Sequence, residues 1–214
     1  MEQAEKYTTI YIVRHGETEH NLNEIMQGQS DSPLTANGQA QAKAREEDLG
    51  PVHFDALFSS DLGRTVQTAS ILNINRKLAL NTTKLLREKH FGIYEGRPIQ
   101  HFLDENKELI EKFEKLSAEE KIKFKYHPTQ ENDEEVTVRM LTFLREIGAT
   151  FIDHTVLVVS HGSIMRALLR HLGFATYGEL PPGSLENTGY IKLETDGVDF
   201  FIKETKGINK VIAS

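Results

Sequence analysis

Three short apolar runs end in the same way, and that repetition limits the folds open to this chain of 214 residues. Residues 8–13 (TTIYIV) lead straight into Arg14-His15-Gly16, 56–58 (ALF) into Ser59-Ser60-Asp61, and 155–159 (TVLVV) into Ser160-His161-Gly162. Apolar, largely β-branched runs without polar alternation suit strands covered on both faces. Helical patterns lie between them. One opens at Leu34-Thr35 and runs to about residue 49; a second, capped by Ser60 or Asp61, runs to about 72; a third follows His161 up to Gly173. Val136, Met140, Phe143, Leu144 and Ile147 fall on one face of a further helix. Strands alternating with helices predict right-handed crossovers and an α/β fold, a three-layer sandwich whose mostly parallel sheet is flanked by helices. The tail predicts a hairpin of 189–193 with 198–203 about Thr195-Asp196-Gly197. Residues 97–135 are rich in Lys and Glu and read as a lid-like, partly helical insertion.

Composition removes several chemistries. The formal charge of −7 disfavours nucleic acid as a partner, because phosphate neutralisation needs a basic face. The absence of cysteine excludes thiol nucleophiles, disulfides and thiolate zinc sites. No apolar run is long enough to span a membrane. The opening stretch MEQAEKYTTIYIV is acidic before its short apolar run, unlike a secretory leader, which points to the cytoplasm.

Ligands of open α/β sheets bind beyond the carboxyl ends of the strands. If the three strands are neighbours, His15, His161, Arg14 and Arg64 converge there. Arg64 falls in the first turn of a helix, where a cation opposes the helix dipole, so an anion is expected beside it. Arginine forks match phosphate oxygens. A neutral imidazole is a competent nucleophile near pH 7, so one histidine can take a phosphoryl group while the other donates to its oxygens. The leaving oxygen needs a proton, and Glu88, in Leu86-Arg87-Glu88, is the best-placed acid if it too lies at a strand end.

These residues sit in a longer pattern. It comprises Arg14-His15-Gly16-Glu17-Thr18 with Asn21, then Gln27-Gly28 with Asp31-x-Pro33-Leu34-Thr35, then Gly38-x-x-Gln41-Ala42. Ser59-Ser60-Asp61-Leu62-x-Arg64-Thr65, Leu86-x-Glu88-x-x-Phe91-Gly92-x-x-Glu95-Gly96 and Val159-Ser160-His161-Gly162 follow in order. Together they resemble the histidine phosphatase superfamily, which includes the cofactor-dependent phosphoglycerate mutases, over about residues 10–193. His20 departs from the Trp that many members carry there. The resemblance implies a phosphoglycerate mutase-like fold in one domain over 1–214. It implies His15 as the phosphorylated nucleophile, Glu88 as proton donor and acceptor, and Arg14, Arg64 and His161 around the phosphoryl group. Asn21, Gln27, Gly28 and Gly162 would add phosphate contacts. No metal or organic cofactor is implied, and the partner is a small phosphomonoester.

Other readings compete. His15, His161 and Glu88 are a possible zinc set, but two arginines would repel the metal and H-E-x-x-H is absent. Ser60 and Ser160 lack a G-x-S-x-G elbow, and no P-loop or G-x-G-x-x-G appears. A non-catalytic phosphate-recognition module on the same fold remains an alternative. So does a mutase. The insertion offers Lys121, Lys123 and Lys125 where the resembling mutases have a paired-arginine segment, which favours metal-independent phosphomonoester hydrolysis. Arg97, Lys107, Lys121 and Lys125 read as a solvated face.

Overall fold

A computed structural model describes residues 6–211; the acidic start read at residues 1–5 lies outside them. The sheet has six strands in the order β3-β2-β4-β1-β5-β6. These are β1 (Thr8–Arg14), β2 (Ala56–Ser60), β3 (Leu80–Thr83), β4 (Thr155–Ser160), β5 (Leu185–Thr195) and β6 (Phe200–Ile208). The first four in that order are parallel; β5 runs antiparallel to β1, and β6 antiparallel to β5. The expected tail hairpin is therefore present but longer, and its first strand is an interior member of the sheet. The edge strand β3 has no counterpart in the sequence reading, because three of the four residues of LNTT are polar and the strand is partly exposed.

The continuous apolar runs have a simple cause. Successive side chains of a strand point to opposite faces. Ile10 and Ile12 of β1, with Val156 and Val158 of β4, join one buried cluster. There they meet α7 (Asp133–Thr150) and α8 (Gly162–His171). Tyr11 and Val13, with Leu157 and Val159, join the other. That face carries α2 (Ala36–Asp48) and α3 (Gly63–Leu72), preceded by the single turn α1 (Glu19–Leu22). The helical face predicted from Val136 to Ile147 is buried in α7 as spaced. Truncating its fully buried Met140 or Leu144 to Ala costs about 2–5 kcal/mol.

Two local expectations change. Neither Ser60 nor Asp61 caps α3: its N-cap, Leu62, has no side-chain bond. Asp31 from a distant loop does the work instead, accepting from the Gly63 and Arg64 amides, while Asp61 pairs with Arg87. The Lys/Glu-rich excursion holds α4 (Ile99–Glu105), α5 (Lys107–Glu114) and α6 (Ala118–Lys123), and it closes at Asn132, which caps α7, rather than at 135. None of these three helices has a buried residue of its own. They are joined by rings: Phe102 packs on Tyr94 and Tyr126, each at 5.0 Å, and Phe113 on Phe124 at 5.4 Å and Tyr177 at 5.6 Å.

Candidate active site

Strand order decides what meets. β4 lies between β1 and β2, with Arg14 in register with Ser160 and Ser59 with Val159. His15, His161 and the start of α3 therefore emerge side by side, and the two imidazole rings stand 5.3 Å apart at 64°. The turn after β1 fits only because it is bare. A Cβ on Gly16 would lie 2.4 Å from the Gly38 carbonyl oxygen, and one on Gly38 would lie 2.0 Å from that of Glu17. The catalytic-looking turn and the first turn of α2 are thus in backbone contact.

Hydrogen bonding fixes both tautomers. His15 Nδ1 lies 2.7 Å from the Gly16 carbonyl, which can only accept, so Nδ1 carries the proton and Nε2 presents a lone pair. Arg64 Nε donates to His161 Nδ1 at 3.2 Å, so His161 carries its proton on Nε2, which is buried and unpartnered among the described residues. Burial, then the charges of Arg64 and Arg14, holds His15 well below the ordinary value of 6.5. Burial and Arg64 hold His161 down in the same way. Both rings are neutral at physiological pH.

Arg64 is 1% exposed, and four of its five N–H groups have partners, counting its Nε bond to His161. Its Nη1 donates to the Ser30 carbonyl and Asp31, and its Nη2 to the Gly28 carbonyl at 2.7 Å. Glu95 pins that loop from the other side, accepting from the Gln29 and Ser30 amides. Gly28 adopts φ +54°, and a Cβ there would strike Glu95. The anion expected beside Arg64 is thus in part Asp31, supplied by the protein itself. Arg14 differs. Its Nη1 donates to the Leu185 carbonyl, yet its Nε is buried without a partner and no carboxylate pairs with it among the described residues.

Glu88 follows a single 3₁₀ turn (Lys84–Leu86) after β3 rather than a strand end. Its Oε1 accepts from the Lys89 and Ile164 amides and its Oε2 from Ser163 at 2.9 Å, so the start of α8 grips the carboxylate. Ser160 donates to the Leu86 carbonyl at 2.9 Å and so tethers the loop that carries Glu88. Asn21 completes a capping box with Thr18, the plain structural role that its position allows.

All the residues predicted for the site except His161 line one cavity of about 470 Å³, namely Arg14, His15, Asn21, Gln27, Gly28, Arg64, Glu88 and Gly162. His161 stands behind His15, fully buried. Sequence reasoning missed the opposite wall: Ile99, Phe102, Leu103, Tyr126 and Gln130 from the excursion, with Phe91 and Arg166. Of these, Arg166 carried a signal, four residues after Gly162 and so on the same helical face. None of the excursion's lysines lines this cavity: Lys125 pairs with Glu135, and Lys121 bonds the Glu114 carbonyl and sits over the Phe113 ring. Among the described residues, no group of three or more His, Cys, Asp or Glu is arranged to hold a metal ion.

Residues 10–206 match the profile of the histidine phosphatase superfamily, branch 1. The chain belongs to that superfamily. Fructose-2,6-bisphosphatase TIGAR B of Danio rerio is 30% identical over 218 aligned residues, covering 89% of this chain and 84% of that protein. A phosphoglycerate mutase from Bacillus anthracis strain Sterne superposes with a TM-score of 0.82 at 30% identity, over 94% of this chain and 93% of that one. A mycobacterial glucosyl-3-phosphoglycerate phosphatase, solved with VO3, gives 0.78 at 25% identity over 94% and 99%. Relatives in the superfamily thus include both phosphatases and mutases, on the same sheet flanked by helices.

Proposed function

We propose that this histidine phosphatase hydrolyses small phosphomonoesters, without a metal, through a phosphohistidine on His15. The observation that carries the reading is the His15 tautomer: an unprotonated Nε2 in a cavity shared with Arg14, Arg64 and Glu88. Nε2 attacks phosphorus while the bond to the leaving oxygen breaks, and Glu88 delivers a proton to that oxygen. Water then attacks the phosphohistidine, giving a proton to Glu88, and the P–N bond breaks with its electron pair returning to Nε2. Arg14 Nε and His161 Nε2–H, both buried without partners, are the donors held for the phosphoryl oxygens. Such preorganised donors act most strongly on charge that develops during transfer. Asn21, Gln27, Gly28 and Gly162 complete the phosphate end.

Hydrolysis is favoured over a mutase reaction by the wall facing His15. The resembling mutases carry a paired-arginine segment in this insertion, whereas here the excursion contributes mostly apolar and aromatic side chains to the cavity and none of its lysines. That segment acts as the lid over the leaving group. A binding module needs no nucleophile with a fixed tautomer. The test is para-nitrophenyl phosphate hydrolysis with EDTA present, beside a 3-phosphoglycerate isomerisation assay. Turnover that survives EDTA and vanishes in His15→Ala is expected. EDTA-sensitive turnover, an active His15→Ala variant or isomerisation faster than hydrolysis overturns the reading.

A further inference from the structure

Seven of the ten arginines pair with a carboxylate. Of the rest, Arg145 is exposed, and the two that are partly buried, Arg14 and Arg166, line the same cavity. Arg14 is accounted for by the phosphoryl group. Arg166 is not. Its Nη2 donates to Ser163 Oγ at 3.2 Å, and its Nη1 is buried with no partner among the described residues. Burial, then the charge of Arg170, lowers its pKa to about 10, so it keeps its charge at neutral pH.

Position gives that cation a purpose. The Ser163 that accepts from Arg166 also donates its amide to Glu88 Oε2, so Arg166 stands two hydrogen bonds from the carboxyl at the leaving group. A second cavity of about 360 Å³ shares Lys89, Ser163 and Arg166 with the first but is lined by neither histidine, nor by Arg14 or Arg64. Its buried carboxylate, Asp133, is already matched by Lys89 at 2.7 Å, Arg170 at 3.0 Å and the Tyr177 hydroxyl at 3.0 Å. Three cations thus gather where the two cavities meet, and of the two buried carboxylates nearby, Asp133 bonds Lys89 and Arg170 while Glu88 reaches Arg166 only through Ser163. An unpaired charge there is costly unless a ligand compensates it.

We propose that Arg166, backed by Lys89 and Arg170, is a second anion subsite on the leaving-group side, so that the preferred substrate is a phosphomonoester bearing another acidic group on an apolar or aromatic frame. This rests on the phosphatase reading above. The test compares kcat/KM for 3-carboxyphenyl phosphate with that for its neutral isostere, 3-carbamoylphenyl phosphate; 1,3-phenylene bisphosphate tells carboxylate from phosphate as the second group. Wild type should favour at least one of the two acidic substrates over the carbamoyl compound by at least about tenfold, which is about 1.4 kcal/mol. Arg166→Met should reduce that ratio to near one, chiefly through KM, and Arg166→Lys should restore part of it. A wild-type ratio near one for both acids overturns the subsite whether or not the variants fold. So does a ratio unchanged in Arg166→Met, or an equal loss on all substrates, which would place Arg166 behind Glu88 through Ser163. If wild type turns over none of these compounds, the phosphatase reading fails instead, and calorimetric titration of the same compounds decides the subsite by the same ratio.

Discussion

On the sheet side of the cavity, His15, Arg64, His161 and Glu88 are held by carbonyls, amides and one another. On the other side, Phe102 on α4, a helix that buries nothing of its own, and Tyr126 in the loop after α6 are held by aromatic neighbours. Backbone partners fix a side chain to within a hydrogen bond's tolerance, whereas ring contacts allow sliding at small cost. Phosphoryl transfer needs the first kind of support, and accommodation of a leaving group is served by the second. The two sides should therefore respond to mutation differently, in chemistry on one and in substrate affinity on the other.

The largest effect tests the rigid side. His15→Ala should lower kcat by at least about 10⁴-fold, and ³¹P NMR after acid-free quenching should lose the phosphohistidine signal. Glu88→Gln comes next. It should slow alkyl phosphates by about 10²–10⁴-fold but nitrophenyl phosphate much less, because a good leaving group needs little proton assistance. An equal loss on both would remove Glu88 from proton transfer. Phe102→Ala should raise KM for aromatic phosphates by about tenfold while the inhibition constant of inorganic phosphate stays put. A drop in kcat of the same size would erase the contrast between the two walls.

The smallest effect is in stability against pH. A buried neutral imidazole takes up no proton in the folded chain where an unfolded one, near 6.5, does. The contribution of His15 and His161 is therefore complete above about pH 6.5 and is lost as pH falls below it. The melting temperature should decline on acidification through that range, and His161→Gln should make the decline shallower.

The sheet face of the site was legible because its residues end apolar runs, and a run that stops at Arg-His-Gly announces both a strand and what it presents. The aromatic wall was not, since Phe102 and Tyr126 sit in a charged stretch without period and meet only in three dimensions. Asp31 belongs to the Asp-x-Pro-Leu-Thr pattern, but its bonds to the Gly63 and Arg64 amides span more than thirty positions, and no local spacing reveals them. Leu85 and Leu86 look like strand residues and predict a strand end at Glu88; they turn instead, Leu86 packing into the core at 0% exposure. The position of Arg64 in the first turn of α3 predicts an anion beside it, and Asp31 already meets part of that need.

The contact between Gly16 and Gly38 carries a lesson about transfer. Gly16 is kept bare by the Gly38 backbone and Gly38 by the Glu17 backbone, so a methyl at either one pushes the nucleophile's loop away from the helix beneath it. Arg-His-Gly is not a portable cassette. Grafted onto another α/β scaffold, it would have to bring the opening of α2 with it.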